Sequence, residues 1–146
     1  MKFVFPTTGA KHYRFPTHTN HLVVDREESQ TSEVFVVVLA PGEAPPLHLH
    51  DDTEQVFYIL EGEGILRIGS EKQEFPVRAA DVVRIPPATL HSIQCTGKKP
   101  LRYLAIDCFV NGRPAVEPTW DSHVRVVCHQ NGWNFAEITR RANHAE

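Results

Sequence analysis

The sequence predicts an all-β fold, a sandwich or small barrel of short strands, and three observations carry that prediction. Apolar runs rich in Val, Ile, Leu and Phe recur with turn signals about every 8 to 12 residues. No amphipathic helical pattern separates these runs, as it would in a fold built from strand–helix–strand units. Eleven Pro and eight Gly in 146 residues supply the turns such a chain needs and suit a helical bundle poorly.

Taken in order, residues 3–16 are polar, basic and twice broken by proline, which suits an arm or irregular edge strand better than a core element. His21–Val24 reads as a first short strand, closed by a charged loop, DREESQ. Val34–Ala40 is apolar throughout and mostly β-branched, ended by Pro41-Gly42, and reads as a buried strand. Pro45 and Pro46 hold the next segment extended, because proline fixes its own φ and biases its predecessor away from helix. Asp51-Asp52-Thr53 reads as a solvated polar turn, and Val56–Leu60 as a strand. The turn Glu61–Gly64 then returns the chain through Ile65–Gly69, so that residues 55–69 form a hairpin.

Lys72–Val77, broken by Pro76, and Asp81–Ile85, stopped by Pro86-Pro87, follow as strands, then His91–Cys95 and Leu101–Phe109. Beyond residue 111 the pattern loosens. Val124–Cys128 reads as one more strand and Phe135–Asn143 as a short surface helix. The chain is one domain's worth, divided as an arm over 1–20, a core over about 33–108 and an extension over 111–146.

Composition narrows the function classes. A net charge of −3 offers no electrostatic footprint for nucleic acid or an anionic membrane. Cys95, Cys108 and Cys128 are odd in number and widely spaced, which indicates neither a disulfide framework nor a thiolate zinc site. With no signal-peptide pattern and no apolar run of membrane-spanning length, the expected location is the cytoplasm.

The chemistry concentrates in GEAPPLHLHDDTEQVFYILEG, residues 42–62. His48-x-His50 on a strand sends both imidazoles to one face, where two ring nitrogens can grip one metal ion. Nine histidines make such a spacing common by chance, so the pair needs support from elsewhere in the chain. Gly42, His48-x-His50, Gln55 and Gly62 in this spacing resemble the first motif of the cupin family. Ala80–Cys95, ADVVRIPPATLHSIQC, resembles the second.

The resemblance covers residues 33 to 108 and implies a double-stranded β-helix, a jelly-roll-like barrel whose mouth holds one divalent metal. Carried over residue by residue, it implies His48, His50 and His91 as ligands. Two neighbours compete for the remaining place. The gap back from Gly62 selects Gln55, where the family usually has Glu, while a shorter gap forward from His50 selects Glu54. Adjacent strand residues face opposite ways, so only one reaches the ion, and Gln55 is the favoured residue. Mixed imidazole and amide donors suit Fe, Mn, Ni, Co, Cu or Zn and disfavour Ca and Mg, which prefer all-oxygen shells.

Three positions depart from the family pattern. Ala80 and Ala88 stand where glycine is usual, and since alanine tolerates positive φ poorly, the turn that holds His91 is expected to take a different shape. Cys95 stands where Asn is common; it shares strand parity with His91 and, with Phe57, is a candidate for the pocket lining, although a small buried core residue is the commoner role for such a cysteine. The other six histidines, 12, 18, 21, 123, 129 and 144, read as surface or hydrogen-bonded residues. The function implied is a metal-dependent enzyme, an isomerase, lyase or dioxygenase, acting on a sugar-derived or other oxygenated small molecule. The alternative is a non-enzymatic module that binds or senses a small ligand. Family likeness also implies a homodimer, with the N-terminal arm, sheet faces, Trp120 and Trp133 as candidate contacts.

Overall fold

Strict alternation along Leu101–Phe109 shows how the architecture is built. Leu101, Tyr103, Ala105, Asp107 and Phe109 are buried, and the residues between them are half-exposed. The computed structural model describes residues 1–142. Its strands are β1 Lys11–Arg14, β2 Thr19–Val24, β3 Ser32–Leu39, β4 Thr53–Glu61, β5 Glu63–Ile68, β6 Gln73–Arg78, β7 Val82–Ile85, β8 His91–Cys95 and β9 Leu101–Phe109. A single 3₁₀ turn spans Arg26–Glu28, and two helices follow the strands, α1 Trp120–Asn131 and α2 Phe135–Ala142.

The strands form two antiparallel sheets, one ordered β1-β2-β3-β9-β4-β7 and the other β6-β5-β8. Their inner faces meet in a core that includes the fully buried Leu39, Ile59, Ile85, Ile93 and Leu101. The fold is thus all-β in its body, with few helices, as expected.

The hairpin expected over 55–69 is absent. β4 pairs with β7 and β9, whereas β5 pairs with β6 and β8, so the chain changes sheets between them. Gly62 makes the corner. Its φ is +86°, and a Cβ there would lie 2.5 Å from Pro100 O and 2.8 Å from Leu101 Cα. Only glycine fits a bend pressed so closely against another backbone.

The expected strand over 124–128 is instead the middle of α1. Thr119 caps that helix: its side chain accepts from the Ser122 backbone N–H, and the Ser122 side chain accepts in turn from the Thr119 backbone N–H. Gly132 closes it in the left-handed conformation, φ +70°. Trp120, Val124 and Cys128 form its buried stripe, four residues apart. The terminal helix also docks, burying Ile138 in the core; Asn143, which ended the predicted helix, and His144 lie outside the described residues.

The N-terminal segment contributes more than an arm. β1 pairs with β2, and Tyr13 and Phe15 are buried in the main core. Tyr13 Oη donates to Asp121 Oδ1 at 2.9 Å, and the Trp120 backbone N–H donates to Asp25 Oδ1 at 2.9 Å, so β1 and the residue that follows β2 hold the first turn of α1. Trp120 is therefore core, which removes it from the free surface, and Trp133 packs half-buried against that core. Ala80 and Ala88 also overturn the expectation of an altered turn. They adopt φ of +77° and +59°, keeping the left-handed backbone despite the Cβ.

Candidate metal centre

Backbone hydrogen bonds bring the two motifs together. His48 and His91 form an isolated antiparallel bridge, with each backbone N–H donating to the other's carbonyl, at 3.2 and 2.9 Å. The Ala88 N–H donates to His50 O at 2.7 Å, and the Gly42 N–H to Cys95 O at 2.9 Å. His48 and His50 thus sit on an extended segment held by one bridge, rather than on the full strand expected for them. The result is a cluster in which His48, His50 and His91 each offer a ligand atom, all within 4.8 Å of one another.

Two carbonyls fix the ring tautomers. His48 Nδ1 lies 2.7 Å from Pro46 O and His91 Nδ1 lies 2.8 Å from Thr89 O. A carbonyl only accepts, so each Nδ1 carries the proton and each neutral ring keeps its lone pair on Nε2. Burial holds the rings neutral. It lowers the pKa of His48, takes that of His91 down to about 4 and that of His50 to about 2, with the neighbouring rings adding to the effect.

β4 decides between Gln55 and Glu54. Thr53, Gln55, Phe57 and Ile59 face inward, while Glu54 faces out and pairs with Arg84 at 2.8 Å. Glu54 as the alternative ligand is therefore corrected: a side chain on the opposite strand face does not reach the histidines.

Gln55 ends a buried chain of polar groups. Arg26 grips Glu33 through two bonds of 2.8 Å, with both side chains almost fully buried. Burial would raise the Glu33 pKa, yet its hydrogen bonds with Asp107 and Arg26 hold it below the usual carboxylate range. Burial pushes Asp107 well above that range, and its hydrogen bond with Glu33 adds to the shift. The two carboxyls are thus pushed in opposite directions, and Asp107 Oδ1 accepts from Gln55 Nε2 at 2.7 Å. That bond orients the amide and leaves Gln55 Oε1 a buried acceptor with no protein partner.

His91 Nε2 is likewise buried without a hydrogen-bond partner. Unsatisfied buried polar atoms are costly, and here two of them belong to side chains lining one cavity. A divalent transition metal ion fits this donor set, because imidazole nitrogen and amide oxygen both suit it.

The cavity holds about 410 Å³ and reaches from the three histidines to the inner face of α1. Phe57 lines it, as expected. Cys95 does not: it is 1% exposed in the core, where its Sγ contacts Lys99 O at 3.3 Å, so its parity with His91 leads to packing rather than to the pocket. Asp51 and Asp52, read as a solvated turn, belong to the lining.

Of the strand residues with acid–base chemistry, Tyr103 and Asp107 face inward, whereas Tyr58 and Arg84 are exposed on the outer face. Burial raises the Tyr103 pKa, keeping the phenol neutral. The sequence reading missed what α1 contributes: His123 enters the cavity 6.3 Å from the His50 ring, and its Nδ1 donates to Glu117 Oε1 at 2.8 Å. The Thr119–Ser122 cap and the 120/124/128 spacing were the signals that could have found this helix. His18, stacked on Phe15 at 4.6 Å and held neutral by burial at a pKa of about 3, also lines the cavity.

Residues 35–107 match the cupin domain model, and the chain belongs to the cupin family. Over 67 residues it is 39% identical to an uncharacterised protein of Methanocaldococcus jannaschii, covering 46% of this chain and 52% of that one. Over 68 residues it is 35% identical to the oxalate-binding protein of Thermotoga maritima, covering 47% and 54%. The chain thus spans about half the length of the curated relatives it matches. Among solved structures, a predicted oxalate decarboxylase from Thermotoga maritima superposes with a TM-score of 0.67 at 23% identity, over 73% of this chain and 99% of that one. A polyketide cyclase from Streptomyces resistomycificus gives 0.64 at 22%, over 78% and 82%. At these identities the structural likeness bears on the fold alone. Among the described residues, no helix is long and apolar enough to cross a membrane.

Proposed function

We propose that His48, His50, His91 and the Gln55 amide oxygen hold one divalent transition metal ion, Fe, Mn, Ni, Co, Cu or Zn. The chain would use it as an enzyme, an isomerase, lyase or dioxygenase, on a sugar-derived or other oxygenated small molecule. The observation that carries the reading is a cluster of three neutral imidazoles in a cavity also lined by Gln55, whose amide oxygen is buried and unpartnered. Since none of the four donors is charged, an ion held there would keep its full charge and supply Lewis-acid polarisation to a carbonyl or enediol oxygen.

The chain's own residues have distinct parts in this reading. Pro46 and Thr89 aim the two imidazoles, and Asp107 aims the amide. His123, with Nδ1 held by Glu117, has Nε2 left to take or give a proton within the cavity. The helix α1 forms one wall of the cavity. A second reading, a module that binds a ligand without converting it, is supported by the 35% identity to an oxalate-binding protein.

Zinc titration of the metal-free chain tests the site. Gln55→Ala should weaken binding at least about tenfold, as loss of a ligand or its support does, while Glu54→Ala should leave it unchanged. Equal effects of the two variants would refute the assignment. Turnover of a panel of oxygenated substrates by the metal-loaded chain, lost in His123→Ala with ligand binding retained, supports the enzyme; binding without turnover supports the module.

The reading includes a homodimer and a cytoplasmic location, with no membrane or nucleic-acid partner. For the dimer, the outer face of the larger sheet offers exposed Tyr58, Leu60 and Val82.

A further inference from the structure

We propose that the cavity selects a ligand whose oxygen chelate carries an uncharged aromatic ring, and that it discriminates against a ligand whose chelate carries a further carboxylate in the ring's place. This rests on the metal-site reading above and narrows its ligand class to one kind of oxygenated molecule.

Charge is the first argument. Among the described residues, no Lys or Arg lines the cavity. Arg26, the nearest buried cation in the polar chain, is committed to Glu33 by two bonds of 2.8 Å. Asp51, Asp52 and Glu117 are acids of the lining, and His123 is committed through Nδ1 to Glu117 at 2.8 Å. A carboxylate carried outside the chelate would find no Lys or Arg, and would meet the acids of the lining instead. Burying such an unpaired charge is costly.

The walls are the second argument. Phe35 and Trp120 lie 4.8 Å apart, ring to ring, at the α1 side of the cavity, and Phe57 lies 6.4 Å from His91 at the histidine side. A planar ring extending from the histidines would have aromatic side chains in the cavity wall to pack against, and such ring pairs attract at centroid separations of about 4.5–7 Å. The volume, about 410 Å³, is far more than a small dicarboxylate fills.

Polar atoms away from the histidines are the third. Asn20 Oδ1 and Trp120 Nε1 are buried and lack hydrogen-bond partners, and both side chains line the cavity. One is an acceptor and the other a donor, so a ring substituent such as a hydroxyl could satisfy either. Neither residue belongs to the four that hold the metal.

The test uses the full chain loaded with zinc and titrated with phenylpyruvate, pyruvate and 2-oxoglutarate, followed by calorimetry and tryptophan fluorescence, with bound zinc assayed after each titration. The three share one 2-oxo-acid chelate; phenylpyruvate adds a ring to it and 2-oxoglutarate a distal carboxylate. Phenylpyruvate should bind at least tenfold tighter than pyruvate, and 2-oxoglutarate no tighter than pyruvate. Val127→Lys, a half-exposed lining position on α1, should strengthen 2-oxoglutarate at least fivefold without strengthening phenylpyruvate. Equal binding of phenylpyruvate and pyruvate, 2-oxoglutarate binding as tight as phenylpyruvate, or retention of zinc with no ligand bound would each overturn the inference while leaving the metal site standing. Failure to take up zinc at all would overturn the metal-site reading, and the inference with it.

Discussion

Replacing Arg26 by Met should destabilise the protein sharply and in a pH-dependent way. Arg26 is 2% exposed and Glu33 fully buried, and the two share paired bonds of 2.8 Å. Removing the guanidinium leaves a buried carboxylate without its counter-charge, which costs about 3–5 kcal/mol. For a chain of this length each kcal/mol moves Tm by roughly 2–4 °C, so the expected fall is about 6–20 °C at pH 7.

The sign of the pH effect follows from Glu33. In the parent its folded pKa is depressed, so the ion pair contributes stability that is present at neutral pH and lost as pH falls through that folded pKa. In Arg26→Met, burial acts without the arginine and raises the folded pKa above the unfolded one. Glu33 then contributes stability to the variant as pH falls, while the buried histidines act alike in both proteins, so the deficit against the parent narrows from pH 7 to pH 5. Urea denaturation of the metal-free proteins at both values measures this. Adding Glu33→Gln removes the stranded charge, keeps a side chain of the same shape and should restore most of the loss. A deficit under about 1 kcal/mol at pH 7, or one that does not narrow at pH 5, would refute the polar chain described for the site.

Other expectations follow from single features. Ala88→Gly should stabilise the chain by up to about 1 kcal/mol, because left-handed backbone costs an L-residue about 1–2 kcal/mol and glycine's added chain entropy returns only part of it; thermal denaturation reads the gain, and a loss would contradict the strain assigned at φ +59°. The metal-free protein should lose stability as pH falls from about 6.5, since the folded state keeps His18 and His91 neutral to pKa values of about 3 and 4 while the unfolded chain takes up protons; each contributes up to about 1.4 kcal/mol per pH unit. His18→Phe should flatten that slope, and an unchanged slope would contradict its burial as a neutral ring. In gel filtration the parent should elute near twice 16.5 kDa and Tyr58→Glu/Val82→Glu near 16.5 kDa, whereas a monomeric parent would remove the dimer.

The barrel was legible because each strand of the body announces itself locally, by β-branched runs between Pro and Gly turns, and because the two histidine motifs stand in order. Period-two alternation alone makes Gln55 and Glu54 mutually exclusive, and β4 resolves the choice through its inward set of Gln55, Phe57 and Ile59. What the sequence hid was long-range. Residues 55–69 carry every sign of a hairpin, yet Gly62 is pressed onto the backbone of Pro100 and Leu101, a contact that no local pattern records.

The segment 124–128 misled differently. Its valines favour a strand locally, while the cap at Thr119 and the buried stripe Trp120, Val124 and Cys128 decide for a helix once a core is present to receive it. That reversal matters for the site, because α1 brings His123 and Trp120 to the cavity. Ala80 and Ala88 show the converse, a local preference overridden: hydrogen bonds from the Ala80 N–H to Ile59 O at 2.9 Å and from the Ala88 N–H to His50 O at 2.7 Å hold backbone that alanine alone disfavours.

Elemental analysis of the purified, untagged chain beside a His48→Ala/His91→Ala variant tests the account most directly. About one equivalent of a transition metal in the parent and none in the variant is the predicted result. A parent that carries no metal and takes up none after dialysis against Fe, Mn, Ni, Co, Cu and Zn would contradict the account, leaving a barrel that binds its ligand through the cavity walls alone.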